Sequence, residues 1–172
     1  MKQKRNKRQK ILFFAGLLLF TAGFGILSFL GIRKIRRDLH RQKLMKENTV
    51  IEIPALRIKA PVLEGVEQSV LKEAAGHFPG TGAIGSGNYC IAGHSSVLYK
   101  EYFNNLKLAE PGMEIRLSDH TGAKAVYEIT EMFIVNPDET QILDDFGDCR
   151  ITLITCTDDG SQRRVVIGKP KK

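Results

Sequence analysis

The sequence predicts an all-β domain, a closed barrel, carried on one N-terminal transmembrane helix. Two observations lead there. Residues 49–172 break into short runs rich in Val, Ile, Leu, Thr and Tyr, separated by turn signals at Pro111-Gly112, Asp119-His120-Thr121-Gly122, Asn136-Pro137-Asp138 and Asp158-Asp159-Gly160. Many short strands favour a barrel, because closure removes exposed sheet edges. Residues 11–32 are 22 consecutive uncharged, mostly apolar residues. A helix of that length spans about 33 Å, enough for a bilayer core.

The elements follow in chain order. Residues 1–10 form a basic tail with Lys2, Lys4, Arg5, Lys7, Arg8 and Lys10. Residues 11–32 are the transmembrane helix. A secretory signal peptide competes with that reading, but the run is long for one. No clear small-x-small cleavage site precedes Arg33-Lys34. Gly16, Gly23, Gly25 and Gly31 suit a membrane helix better than a soluble one. Residues 33–48 are a basic juxtamembrane linker. Ile32, Ile35 and Leu39 recur at helical spacing, so the helix runs on past the membrane, with a non-helical link expected around 44–48. Residues 49–172 form the globular domain. Strands are expected over 49–53, 88–92, 113–118, 125–135, 149–155 and 163–167. Short helical turns are expected over 69–75 and 98–106.

The pI near 9.4 is misleading about partners. Residues 1–43 hold twelve Lys and Arg against one Asp, a net of +11; residues 44–172 hold fourteen against eighteen acids, a net of −4. The positive charge flanks the membrane segment, where anionic lipid head groups attract it. The net acidic domain disfavours a nucleic-acid module. Six basic residues lie on each side of the apolar run, so the positive-inside rule does not decide the orientation.

The chemistry gathers at strand ends. Ile151-Thr152-Leu153-Ile154-Thr155-Cys156 reads as a buried strand ending on a cysteine, with Asp158, Asp159 and Gly160 turning the chain just beyond. Arg163 opens the next strand seven residues later, and His94 ends the run Tyr89–Ala92 plus Gly93, sixty-two residues earlier. A cysteine, a histidine and an arginine are the parts needed for acyl transfer through a thioester. An ordinary thiol, with a pKa of about 8.5, needs a base or cation nearby to react as the thiolate. His94 can take that proton and return it to a leaving amine. An arginine offers fixed positive donors to a carbonyl oxygen gaining charge. Arg163 shares a strand face with Val165 and Ile167, Arg164 with Val166, and a one-residue slip swaps the faces.

Each residue has a blander reading. A lone strand cysteine is most often a packed small residue. His94 could be a turn residue after Gly93, and His77, in Gly76-His77-Phe78-Pro79-Gly80-Thr81, competes for the role of base. Thr155 is as well explained by β propensity as by a supporting role. Three cysteines leave an odd thiol whatever pairing exists. Cys149 reads as a strand-start residue and Cys90 as a packed one, with Cys90 a lesser candidate for redox pairing with Cys156. No Cys/His spacing suggests zinc. His40 and His120 are expected at the surface.

Three segments together resemble the sortases, the membrane-anchored cysteine transpeptidases of Gram-positive bacteria. They are Asn88-Tyr89-Cys90-Ile91-Ala92-Gly93-His94, Thr152-Leu153-Ile154-Thr155-Cys156, and an arginine before Val165-Val166-Ile167-Gly168. The resemblance covers about residues 50–169. The short cysteine-to-arginine spacing, with no C-terminal extension, looks most like class D. The resemblance implies an eight-stranded sortase barrel over 49–172, an N-terminus in the cytoplasm and a catalytic domain outside the cell. It implies Cys156 as nucleophile and His94 as proton carrier. It selects Arg163, which lies five residues before Gly168, as the residue that steadies the carbonyl oxygen. Thr155 and His77 become supporting residues. The expected reaction cleaves a Leu-Pro-x-Thr sorting motif and passes the acyl group to an amine, of a peptidoglycan precursor or a pilin lysine. Pilus-building members usually carry an Asp-Pro-aromatic lid, which residues 40–60 lack, so wall anchoring is favoured. No cofactor is expected. Calcium stimulates some sortases, but Glu64, Glu67, Glu73, Asp144, Asp145 and Asp148 form no ligand loop of recognisable spacing. A cysteine peptidase using water, and a non-catalytic barrel that binds wall peptides, are the alternatives. Specificity is expected in the segment 136–148.

Overall fold

A computed structural model describes residues 2–96 and 102–171, with side chains from Gln9 onward. The chain divides into two compact units, residues 1–42 and 43–172.

Helix α1 (Lys2–Glu47) is continuous. The first proline in the chain is Pro54, so nothing removes a backbone donor along it. Its apolar side chains from Ile11 to Leu39 are exposed, and it is long and apolar enough to cross a membrane. The non-helical link expected around 44–48 is absent. Leu44, Met45, Lys46 and Glu47 are all good helix formers, Lys43 and Glu47 make an i,i+4 ion pair, and only Asn48 breaks the run.

The second unit is a closed barrel of eight strands: β1 (Thr49–Ile53), β2 (Ile58–Glu64), β3 (Ala75–His77), β4 (Asn88–Ala92), β5 (Glu114–Ser118), β6 (Lys124–Val135), β7 (Arg150–Cys156) and β8 (Arg163–Pro170). Around the barrel the order is β1-β2-β3-β4-β7-β8-β6-β5, with β5 closing onto β1. The pairs β2–β3 and β4–β7 are parallel; the others are antiparallel. Side chains that alternate inward fill the interior: Ile51, Ile53, Ile91, Ile115, Leu117, Ile151 and Leu153 are all buried.

Two strands lie outside those expected from the sequence. In β2 a proline (Pro61) interrupts the run, and a proline argues against an interior strand. In β3 only three residues pair. Gly76 sits so close to the chain that an added Cβ would lie 2.2 Å from the Gly65 carbonyl oxygen. The turn expected over 69–75 is a single turn, α2 (Gln68–Leu71), and Ala75 already belongs to β3. Of the helix expected over 98–106, residues 98–101 lie outside the described residues; the rest is a 3₁₀ turn, Asn104–Leu108. The strand expected over 163–167 runs on through Gly168 to Pro170. Gly168 is a close-approach position, where a Cβ would meet Ile151 Cγ2 at 2.9 Å.

Candidate active site

Strand β7 sorts its residues onto two faces. Ile151 and Leu153 point into the core, so Thr152, Ile154 and Cys156 lie on the outer face. Cys156 ends the strand half-buried, with the turn 157–162 beyond it. In the antiparallel register Cys156 stands opposite Arg163, and Thr155 opposite Arg164. Directly opposed residues share a face, so Arg163 is on the side of the thiol and Arg164 is not. The guanidinium of Arg163 donates from Nη1 to the carbonyls of Gly160 (3.2 Å) and Gln162 (3.1 Å).

The turn between the two strands is built on Asp159. Its carboxylate accepts from Thr157 Oγ1 (2.6 Å), Ser161 Oγ (2.7 Å) and the Ser161 N–H (3.2 Å). These bonds, Thr157's first, hold the acid down at a pKa of about 2. Gly160, at φ +75°, supplies the left-handed backbone.

His94 follows β4, which lies parallel to β7 and pairs with it as far as Ala92 opposite Ile154. His94 comes two residues after Ala92, as Cys156 comes two residues after its partner Ile154. Three bonds fix this segment. The Gly93 N–H donates to the Ile154 carbonyl (3.0 Å), Thr155 Oγ1 donates to the Gly93 carbonyl (2.7 Å), and the Phe103 N–H donates to the His94 carbonyl (3.1 Å). Gly93 is a steric requirement, since a Cβ there would lie 2.5 Å from the buried Phe103 ring.

The strand ends thus set Cys156 opposite Arg163 and tie the segment that leads to His94 to Ile154 and Thr155, and His77 is engaged elsewhere. It is buried with its ring stacked on Tyr89, centroids 4.3 Å apart. Its Nδ1 lies 2.7 Å from Glu64 Oε2, and its Nε2 lies 3.0 Å from Thr81 Oγ1 and 3.1 Å from the Gly82 carbonyl. A ring with both nitrogens engaged holds the loop after β3. His40 and His120 are exposed.

All three thiols are free. Cys90 is fully buried beside the Asn88 carbonyl, and burial pushes its pKa up to about 11. It pairs with Thr152, four residues short of Cys156 along the sheet. That is about 13 Å at 3.3 Å per residue, too far for a disulfide.

A cavity of about 120 Å³ opens on the outer face of β7, lined by Phe78, Val135, Pro137, Ile142, Ile154 and Arg163. Its far wall is the segment 136–148, which carries a 3₁₀ turn, Thr140–Leu143. Ile142 packs on Val135, Val165 and Ile167 in a small apolar cluster separate from the barrel core. The buried Asn88 side chain bonds to this segment and to β7. The sequence offers no signal for that role or for that of Glu64, because each works through partners distant in the chain, whereas Asp159 belongs to the turn signal after β7. Among the described residues no group of three or more His, Cys, Asp or Glu could hold a metal ion. Three of the six acids weighed for calcium make contacts within the fold: Asp148 pairs with Arg150 and Lys169, Asp145 accepts from the Gly147 N–H, and Glu64 holds His77.

A family model described as Sortase domain matches residues 51–171. Sortase A of Bacillus anthracis is 32% identical over 120 residues, covering 69% of this chain and 57% of that protein. The chain spans about half the length of the curated relatives it matches. Among solved structures, a pilus-related sortase C of Group B Streptococcus aligns with a TM-score of 0.67 at 28% identity, over 74% of this chain and 69% of that one. A Clostridium perfringens sortase D5 transpeptidase aligns with a TM-score of 0.66 at 29% identity, over 78% of this chain and 89% of that one.

Proposed function

The chain belongs to the sortase family, and from that premise we propose that it is a membrane-anchored transpeptidase acting through Cys156. The Cys156 thiolate attacks the carbonyl carbon of the bond after threonine in a Leu-Pro-x-Thr sorting motif. The C–N bond breaks, His94 gives its proton to the departing amine, and the acyl group remains as a thioester on Cys156. Arg163 turns its guanidinium from the turn carbonyls toward the oxygen that gains charge. An incoming amine then attacks the thioester, His94 takes its proton, and the thiolate leaves. The acceptor is a peptidoglycan precursor amine and the donors are secreted proteins with the motif. The helix holds the chain in the cell membrane with its N-terminus inside and the barrel outside. The subclass is D, supported by the seven-residue step from Cys156 to Arg163.

One observation carries this reading: Cys156, its cross-strand partner Arg163 and the segment bearing His94 share one strand end on one face of the barrel. The reaction type is tested by product analysis with a Leu-Pro-x-Thr-Gly peptide, with and without an added amine. Transpeptidation gives the amine conjugate in place of free acid. Free acid alone, whatever amine is added, identifies a peptidase. A Cys156 inert to thiol-directed probes identifies a binding barrel.

A further inference from the structure

Asn88 opens β4 and is 1% exposed, yet its side chain has a full set of partners. The Nδ2 group donates to two carbonyls of the 136–148 segment, Ile142 (3.0 Å) and Asp144 (2.9 Å). The Oδ1 atom accepts from Thr152 Oγ1 at 2.6 Å, and Thr152 is itself fully buried. A carboxamide offers two N–H donors on one atom and an acceptor on the other. One donor goes to Ile142, which lines the cavity, the other to Asp144 two residues further on, and the acceptor takes a hydroxyl from β7. Thr152 lies on the outer face of β7 with Ile154 and Cys156. One side chain therefore ties the wall of the cavity to the strand that ends on the thiol.

We propose that Asn88 is a positioning residue for the peptide substrate, acting as a clamp that fixes the 136–148 segment against β7. Around residues 142–144 the remaining hold is apolar, Ile142 against Val135, Val165 and Ile167, while the two ends of the segment are pinned by Gln162 on Asn136 and by Asp148 on Arg150 and Lys169. An apolar contact is non-directional and tolerates sliding. The paired carboxamide bonds fix the backbone of residues 142–144 in one register. Thr152 is the second member of the clamp, since its hydroxyl orients the carboxamide so that both donors face the segment. The site end is held separately, by Thr155 on Gly93 and by Gly93 on Ile154. Losing the clamp thus loosens the cavity wall and leaves the reacting groups where they are.

The inference rests on the transpeptidase reading for its kinetic arm and on nothing but the fold for its structural arm. The full chain in detergent is compared with Asn88→Ala and Thr152→Val, the second removing only the hydroxyl. Amide hydrogen exchange over residues 139–147 is expected to quicken roughly tenfold in both, with exchange in β7 and β4 little changed. With a Leu-Pro-x-Thr peptide, KM is expected to rise about tenfold while kcat stays within about twofold. Unchanged exchange in folded variants overturns the clamp. So does a fall in kcat at constant KM, which would move Asn88 to the chemistry. Global unfolding of both variants also overturns it, because the side chain would then be holding the barrel and not its wall. If no peptide reacts even with the parent chain, the exchange result still decides the clamp, and only the functional reading fails.

Discussion

The Thr155 hydroxyl donates to the Gly93 carbonyl inside the protein, one residue from the thiol on one strand and one residue from His94 on the other. Thr155→Val keeps the shape and leaves that carbonyl without its partner. The expected cost is about 1–3 kcal/mol of stability, read by denaturant unfolding, with Thr155→Ser recovering most of it. Gly93→Ala is harsher, because the new methyl drives into the Phe103 ring; about 1–3 kcal/mol and a loss of turnover are expected. Arg163 and Arg164 test the strand register by their contrast. Only Arg163 stands opposite Cys156. Arg163→Ala is expected to lower kcat/KM by roughly a hundredfold or more, as loss of one charge-stabilising group does, and Arg164→Ala by less than about threefold. Equal losses would mean that the two arginines do not differ in the face they present. At this scale much is legible in the sequence. The alternation of β7 and β8 puts Arg163 and Cys156 within reach, while the choice over Arg164 needs the register that pairs them. Asn88 is not legible, since its partners lie more than fifty residues away.

Among the elements, the strands with clean alternation match their expected spans to within a residue or two at most of their ends. Two others are hidden by their composition. β2 carries Pro61, and β3 is three residues of Ala, Gly and His that no propensity marks as a strand. Both are held by neighbours across the barrel, which is tertiary information. The turn from β7 to β8 is an element whose stability is local and titratable. Asp159 is held near a pKa of about 2 by Thr157 and Ser161. A carboxylate depressed in the fold stabilises above its unfolded pKa, and that contribution is lost as pH falls from about 4 towards 2. Unfolding midpoints over this range are expected to fall more steeply for the parent chain than for Asp159→Asn, in which nothing titrates at that position. Parallel slopes would show that Asp159 does not hold the turn.

On the scale of the whole molecule, charge and apolar surface are segregated. Residues 1–43 carry a net charge of +11 and the helix most of the exposed large apolar side chains, whereas residues 44–172 carry a net −4 around a mostly aliphatic core. Residues 43–172 form a compact unit by themselves. Cut at residue 43, the barrel is expected to remain soluble and to melt in one transition, as single domains of this size do. Burial raises Cys90 to about 11 and Tyr127 to about 12. Groups raised in the fold stabilise fully below their unfolded values, and the contribution is lost as pH climbs through about 9 to 12. Cys90→Ala is expected to flatten the first part of that decline.

The most direct test of Cys156 as the acyl carrier is intact-protein mass spectrometry of the full chain in detergent after incubation with a Leu-Pro-x-Thr-Gly peptide. A mass gain equal to the acyl fragment is predicted, mapped to Cys156, absent in Cys156→Ala and discharged by an added amine. A folded chain whose Cys156 is alkylated by a thiol reagent, yet takes up no acyl fragment from any Leu-Pro-x-Thr peptide, would contradict it.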